Sequence, residues 1–297
     1  MRILLIDADS KVPNLALMKL STYHKNKNDI VDFKKLNISY YRKNSIHYIN
    51  EMFYDKIYCS VIFKNSMGFI KGNAEFGGTG YSLNKKLSPI IESLEPDYSL
   101  YPDNDCSYGF ISRECIRNCS FCLVPKKEGW IHQVSDINTI IKHKKVKFLD
   151  NNFLSLKNHT KILKELIDKK IKCSFIQGLD IRLINRINSE LLNKLNYLGE
   201  YIFAFDSIKL INLIKKKLNL LSWRRDWQLK FYVYCNDKMD IKNILDRIYF
   251  LKENRCLPYL MRDRDCISKY KDLAAWYNQP AFFKNMDFDV FIGKRYK

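Results

Sequence analysis

The sequence reads Arg113-Glu-Cys115-Ile-Arg-Asn-Cys119-Ser-Phe-Cys122 directly after a predicted β-strand, Tyr108–Ser112. The spacing of its cysteines is C-x3-C-x2-C. Thiolates are the metal-binding form of cysteine, and three of them this close together can surround one metal centre. Because this loop opens a long series of predicted strands and helices, it decides how the rest of the chain is interpreted.

The number of cysteines in this group narrows the choice of metal centre. A structural zinc site needs four ligands, which usually come as two C-x2-C pairs. A cubane iron–sulfur cluster has four irons, so three cysteines leave one iron open to a substrate or cofactor. Cys106 and Cys173 stand outside any spacing that supplies a fourth ligand nearby. We therefore expect an iron–sulfur cluster. The alternatives are a zinc site with a distant fourth ligand and three unrelated core cysteines.

From Tyr108 onward, short apolar runs alternate with amphipathic stretches. The runs predict strands at Tyr108–Ser112, Val146–Asp150, Ile171–Gln177, Tyr201–Asp206, Leu229–Cys235 and Cys256–Met261. The stretches predict helices at Asp136–His143, His159–Lys169, Ser189–Leu198, Ser207–Leu218, Ile241–Lys252 and Lys269–Tyr277, with Ser135, Asn188 and Asp240 as caps. A repeat of about 25 to 29 residues suits a βα unit that joins parallel strands. The series therefore predicts a parallel barrel or an open doubly wound sheet.

The first third of the chain predicts a separate, smaller α/β unit. Strands are expected at Arg2–Asp7, Asp29–Phe33 and Lys56–Phe63, with Pro13 in the first turn of a helix between the first two. Glycines and prolines are frequent between residues 64 and 104, which indicates a loop-rich crossing into the second unit. We therefore assign the two domains to residues 1–104 and 105–297.

Composition narrows the class of protein. The chain has 297 residues, 46% of them hydrophobic, which excludes a disordered protein. Its nine cysteines are an odd number, and we expect neither a secretory signal nor a membrane span. We therefore expect a cytoplasmic protein, where clustered reduced cysteines bind metals or catalyse reactions. The net charge of +19 suits a surface that binds polyanions, but a chain rich in Lys, Ile and Asn also follows from an AT-rich genome.

The stretch Tyr108–Gly129 resembles the cluster loop of the radical SAM superfamily, in particular of members with an N-terminal cobalamin-binding-like, Rossmann-like domain. The resemblance implies an α/β fold in which a partial (βα)6 radical SAM barrel follows that small domain. It also implies that Cys115, Cys119 and Cys122 bind a [4Fe–4S] cluster whose open iron chelates S-adenosylmethionine (SAM). Reductive cleavage of SAM would then give a 5′-deoxyadenosyl radical that abstracts hydrogen from a substrate.

Polar residues follow each later predicted strand, at the end where parallel βα folds place their functional groups. They are Asp150, Asn151 and Asn152; Gln177, Asp180 and Arg182; Asp206; Asn236 and Asp237; and Arg262 and Asp263. We expect those from Asp150 to Asp206 to bind SAM, and the resemblance assigns its ribose hydroxyls to Asp206. It also implies that Phe121 packs near the adenine, with a core aromatic as the alternative. The family usually has a Gly-Gly-Glu-like run after strand two, and Asp-Asn-Asn replaces it here. Loop caps and surface ion pairs are the alternative role of these residues.

Several other residues are not expected to take part. The five histidines have no metal-ligand spacing, and the Asp-x-His-x-x-Gly motif of cobalamin domains does not occur. Cys256 and Cys266 lack the layout of a second cluster. Cys235 stands at a strand end, where a thiol can relay a hydrogen atom, but we expect it to be a buried structural thiol.

The expected partners follow from the resemblance and from two basic segments. A radical SAM enzyme needs a reductant such as flavodoxin or ferredoxin, and we expect its substrate to be a peptide or a small molecule. Lys142–Lys172 and Ser207–Lys230 are strongly basic, and Trp223 and Trp227 in the second suit stacking on single-stranded nucleic acid. The solvated outer face of barrel helices is the other interpretation. Modification of tRNA or another nucleic acid therefore stays open, as does a non-catalytic iron–sulfur or zinc module.

Overall fold

The structure, a computed structural model, describes residues 1–38, 45–127, 131–263 and 266–296. Positions 128 and 129 of the predicted cluster loop lie outside the described residues. The chain divides into two compact units, Met1–Tyr108 and Gly109–Lys297. Both units contain helices and parallel strand pairs, so the general α/β class predicted from the sequence is confirmed.

The elements are numbered in chain order. The strands are β1 (Arg2–Asp7), β2 (Ile30–Lys35), β3 (His47–Tyr48), β4 (Lys56–Ser60), β5 (Ile70–Lys71), β6 (Glu75–Gly77), β7 (Cys106–Gly109), β8 (Ser112–Arg113), β9 (His132–Gln133), β10 (Lys145–Phe148), β11 (Lys172–Phe175), β12 (Asn196–Tyr197), β13 (Tyr201–Ala204), β14 (Leu229–Cys235) and β15 (Leu257–Arg262). The helices are α1 (Leu15–Lys25), α2 (Pro89–Glu92), α3 (Val124–Lys127), α4 (Ile137–Ile140), α5 (His159–Asp168), α6 (Arg186–Lys194), α7 (Ile211–Leu220), α8 (Ile241–Glu253), α9 (Lys271–Tyr277), α10 (Pro280–Asn285) and α11 (Phe288–Arg295).

In the first unit, β1 lies inside a four-stranded parallel sheet with the order β2-β1-β4-β6. Successive side chains of a strand point to opposite faces of the sheet. Ile3 and Leu5 accordingly pack with α1, whereas Leu4 and Ile6 belong to a second cluster on the other face. The predicted strand Arg2–Asp7 is confirmed at both ends.

The start of α1 differs from the prediction. Asn14 caps this helix, and its side chain accepts a hydrogen bond from the backbone N of Leu17. Pro13 precedes the cap, so its predicted place in the first turn is wrong. An asparagine cap satisfies a free N–H of the first turn, which is why the helix begins there.

Two larger sheets have the orders β12-β11-β10-β7 and β13-β14-β15; their strands lie in the second unit, except that β7 begins before it and reaches it at Gly109. Strands β10, β11 and β12 pair in parallel, and so do β13, β14 and β15. An isolated parallel bridge, Leu179 to Phe203, joins the two sheets, and Leu179 N donates to Ile202 O at 2.7 Å. The strands β7, β10, β11, β13, β14 and β15 therefore neighbour each other in chain order. Five of them overlap most of a predicted strand, and Leu229–Cys235 is confirmed at both ends. The predicted strand Tyr108–Ser112 is wrong in its bounds, because β7 ends at Gly109 and Ser112 belongs to the separate strand β8.

The helix caps are partly as predicted. Asp240 caps α8 as expected. Asp136 caps α4 in place of Ser135, and α4 is only a single turn. Asn185 caps α6, so the predicted cap Asn188 is wrong: its side chain instead accepts from the backbone N of Asn185 and completes a capping box.

Alternate residues of the strands and the inner faces of the helices form the core of the second unit. In β14, Leu229, Phe231 and Val233 are fully buried, and Ile244 and Ile248 of α8 belong to the same cluster. The polar groups at the carboxyl ends of the strands therefore lie above a closely packed core.

Within the ranges that the structure describes, no helix is long and apolar enough to cross a membrane.

Candidate cluster site

The three cysteines lie on the loop between β8 and α3. Cys115, Cys119 and Cys122 are each partly exposed, and the backbone N of Cys122 donates to the carbonyl of Cys119 at 3.0 Å. Glu114 has a φ of 75°, in the left-handed region that few non-glycine residues adopt. The chain therefore turns sharply where the cysteine loop begins.

Shared hydrogen-bond donors link this loop to the ends of two strands. Cys115 Sγ accepts from the backbone N of Arg117 at 3.4 Å and from Nδ2 of Asn152 at 3.3 Å. The same Nδ2 donates to Oδ2 of Asp180 at 3.3 Å, and Nε of Arg117 donates to that oxygen at 2.8 Å. The cysteine loop is thereby joined to the residues that follow β10 and β11.

Asp180 is the centre of this network. Arg182 donates to both of its oxygens, from Nε to Oδ1 at 2.6 Å and from Nη2 to Oδ2 at 3.1 Å. Burial raises the pKa of the Asp180 carboxyl, but hydrogen bonds from Arg182 and Arg117 lower it below its ordinary value overall. Asp180 also caps the short turn that follows, by accepting from Arg182 N. It is thus a loop cap and an ion-pair partner, and its contact with SAM stays a prediction.

Asp206 presents a buried carboxylate oxygen that has no partner in the described part of the chain. Burial raises the pKa of Asp206 to about 6, although Arg182 and Arg247 lower it. Oδ1 of Asp206 is buried and has no hydrogen-bond partner among the described residues. Burial also raises the pKa of the Cys119 thiol, and the charge of Asp206 raises it further. Because a buried polar atom without a partner is costly, a ligand that donates a hydrogen bond is expected at this oxygen.

A buried arginine supports these strand ends, and sequence reasoning missed it. Arg247 is fully buried, and its Nη1 donates to the carbonyls of Phe205 at 2.8 Å and Tyr234 at 3.0 Å. Burial lowers the pKa of this guanidinium. A signal was present in the sequence, because Arg247 falls between Ile244 and Ile248 on the apolar face of α8.

Asp150 holds the backbone that leads into the cysteine loop. It is fully buried, and Oδ1 accepts from the backbone N and the hydroxyl of Ser112 at 2.6 and 2.7 Å. Oδ2 accepts from the backbone N of Ile111 at 3.2 Å. Burial raises the pKa of the Asp150 carboxyl to about 6, although these hydrogen bonds lower it. Asp150 therefore has a positioning role, and its predicted contact with SAM stays a prediction.

Phe121 connects the cysteine loop to β14. Its ring stacks on Tyr234 with centroids 3.8 Å apart and an interplanar angle of 16°. The hydroxyl of Tyr234 donates to Oδ2 of Asp263 at 2.8 Å. Tyr234 is a second residue that sequence reasoning missed. The stack agrees with an aromatic packing role for Phe121, and its proximity to an adenine stays a prediction.

Two other predicted site residues, Asn151 and Gln177, follow β10 and β11. Gln177 is exposed and Asn151 is partly exposed. Gly178, next to Gln177, has a φ of 95°, which turns the chain after β11. No hydrogen bond between described residues joins Gln177 to the cysteine loop, so the binding of SAM by Gln177 and Asn151 stays a prediction.

The tryptophans of the second basic segment have packing roles. Nε1 of Trp223 donates to the hydroxyl of Ser189 at 2.9 Å. Trp227 lies edge-on to Phe283, with centroids 6.1 Å apart. Both rings pack against the core cluster of the second unit. They are therefore only partly available to stack on bases, and binding of nucleic acid stays a prediction.

The residues present fit an iron–sulfur cluster with a polar ligand. Among the residues that the structure describes, no group of three or more Cys, His, Asp and Glu side chains is arranged to hold a metal ion. The donor chemistry nevertheless agrees with a cluster, because three thiols share one loop and N–H groups donate to Cys115 Sγ. Two buried oxygens, Oδ1 of Asn152 and Oδ1 of Asp206, have no partner within the described ranges. These are the atoms that a bound ligand would satisfy.

Comparison with known proteins identifies no relative of this chain. No family model matches it, no curated protein matches it, and no solved structure matches it. The chemistry of the site is therefore the basis for assigning a function.

Proposed function

We propose that this protein is a radical SAM enzyme whose second unit is a partial (βα)6 barrel. The observation that carries the proposal is the C-x3-C-x2-C cysteine loop, in which the Cys115 thiol accepts from Asn152 after β10 and Asn152 also donates to Asp180 after β11. The charge of Asp206, after β13, raises the pKa of the Cys119 thiol. The chain order of neighbouring strands, with a bridge between the two sheets, supports a barrel-like arrangement. The small first unit, with its four-stranded parallel sheet, agrees with a Rossmann-like domain.

The cluster would be held by Cys115, Cys119 and Cys122. A [4Fe–4S] cluster with bound SAM supplies reductive cleavage of the sulfonium and hence a 5′-deoxyadenosyl radical for hydrogen abstraction. The chain's own residues would bind SAM and orient it. Oδ1 of Asp206 and Oδ1 of Asn152 are acceptors without partners in the described part of the chain, and we assign them to donors of SAM.

Other residues keep the site rigid. Arg117 ties the cysteine loop to Asp180 through the 2.8 Å contact, and Asp150 fixes the backbone before the loop. The stack of Phe121 on Tyr234 ties the loop to β14. Rigid support of this kind holds reacting groups in place and costs little reorganisation during the reaction.

We assign the substrate to peptides or small molecules, and the reductant to a one-electron carrier such as flavodoxin or ferredoxin. This choice over nucleic acid follows from Trp223 and Trp227, because both rings pack against the core. If the protein binds RNA with an affinity that falls steeply as the salt concentration rises, the nucleic-acid alternative is favoured.

The test is anaerobic reconstitution with iron and sulfide, reduction with dithionite and addition of SAM. We expect a brown cluster chromophore and formation of 5′-deoxyadenosine. Cys119→Ala should lose both, whereas the matched control Cys173→Ala should keep both, because Cys173 is buried within β11. If the cluster-loaded protein forms no 5′-deoxyadenosine, the proposed radical SAM activity is refuted and a non-catalytic module is favoured. Zinc bound in place of a cluster would lead to the same conclusion.

A further inference from the structure

Asn152 lies between a cysteine of the loop and the central carboxylate. It follows β10 and is only 3% exposed. Its Nδ2 is 3.3 Å from Cys115 Sγ and 3.3 Å from Asp180 Oδ2, so one amide group faces two acceptors. An amide nitrogen has two hydrogens and can serve both.

The chemistry of the neighbours fixes the orientation of this amide. A carboxylate only accepts hydrogen bonds, and so does a thiolate. Rotating the amide by half a turn would bring Oδ1 against the sulfur and the carboxylate oxygen, with no hydrogen between any of them. Nδ2 therefore faces Cys115 and Asp180, and Oδ1 faces the other way, where it is buried without a partner in the described residues.

We infer that Asn152 is a positioning residue that donates to the ligating sulfur of Cys115 and raises the reduction potential of the cluster. This inference rests on the proposed function. Reduction adds negative charge that is shared with the cysteine sulfurs, and an N–H donor stabilises that charge. The donor is also held by Asp180, whose Oδ2 accepts from the same Nδ2.

The backbone of Arg117 acts on the same sulfur. Its N–H donates to Cys115 Sγ at 3.4 Å. Its side-chain Nε donates to Oδ2 of Asp180, which also accepts from Asn152. Arg117 and Asn152 thus approach Cys115 while sharing one carboxylate. The N–H donor from Asn152 is the one that a side-chain substitution can remove while the loop backbone stays unchanged.

The experiment compares wild type with Asn152→Leu. The leucine side chain is similar in size to asparagine, carries no charge and has no N–H donor. Both proteins are loaded with iron and sulfide, and the midpoint potential is measured by dithionite titration followed by electron paramagnetic resonance. We expect the equilibrium constant for one-electron reduction to fall about tenfold, which corresponds to about 59 mV. Asn196→Leu is the matched control, because Asn196 is exposed at the amino end of β12 and should leave the potential unchanged.

The outcomes separate this inference from the proposed function. A wild-type protein that binds no cluster overturns both. A wild type that holds a cluster and cleaves SAM, with an Asn152→Leu variant of the same potential, overturns the inference alone. If Asn152→Leu does not fold, Asn152→Ser takes its place, since its shorter hydroxyl cannot span the same distance to both acceptors. An unchanged potential in that variant counts against the inference equally.

Discussion

Replacing Asp150 with asparagine should change how the stability of the second unit depends on pH. Burial raises the pKa of this carboxyl from the ordinary 3.8 to about 6. Between about pH 4 and pH 6 the folded protein therefore holds a proton that the unfolded chain has lost. Stability falls as pH rises through this window, because the unfolded state binds fewer protons. The difference between the two pKa values corresponds to about 3 kcal/mol.

Asp150→Asn removes this contribution, because asparagine does not titrate. The free energy of unfolding of the variant, relative to wild type, should therefore rise by about 2.4 kcal/mol between pH 4 and pH 7, since part of the full contribution is already lost at pH 4. Urea unfolding of the reduced, metal-free protein at each pH measures this free energy. All four tryptophans lie after residue 108, so their fluorescence follows the second unit. Asp246→Asn, an exposed acid on α8, is the control and should show no such rise.

A flat difference between Asp150→Asn and wild type across this pH range would refute the reasoning. It would mean that the hydrogen bonds from Ser112 and Ile111 outweigh the cost of burial and keep the carboxylate ionised in the fold. A rise of similar size in the Asp246→Asn control would instead show that the effect is not specific to the buried site.

Three further substitutions test other parts of the site. Asp206→Asn should weaken SAM binding to the cluster-loaded protein about tenfold, because a neutral amide oxygen is a weaker hydrogen-bond acceptor than a carboxylate; unchanged affinity by calorimetry would contradict this. Arg247→Met should lower the free energy of unfolding by about 3 kcal/mol, since two buried carbonyls lose their donor, and a loss below about 1 kcal/mol in urea would argue otherwise. Gly109→Ala should cost about 1 to 3 kcal/mol, because its Cβ would lie 2.6 Å from Ile140 Cγ2; an unchanged melting temperature would exclude the clash.

The sequence was sufficient for features that depend on local pattern. Strands such as Leu229–Cys235 are confirmed because alternating buried residues mark them directly. Asp180 and Asp206 were predictable as site candidates because parallel strands place their carboxyl ends on one side of a sheet. The cysteine spacing lies within a single loop, so it needs no knowledge of the fold.

Features that depend on contacts distant in sequence were not predictable. The hydrogen bonds of Arg117 to Asp180 and of Arg247 to the carbonyl of Phe205 span dozens of residues. The cap of α6 was predicted at Asn188 but is Asn185, three residues earlier; asparagine is a good cap at either position, so residue type alone does not locate the start of the helix. Asp150 likewise resembles an exposed strand-end acid until its burial is known.

The bridge between Leu179 and Phe203 has a consequence for the dynamics of the second unit. A short bridge holds a sheet together with far fewer backbone hydrogen bonds than a full ladder such as that between β14 and β15. Amide hydrogens around Leu179 should therefore exchange with solvent faster than those of Phe231 and Val233. We therefore expect this seam to open before the full ladders of the second unit do, while the packed core below it stays folded.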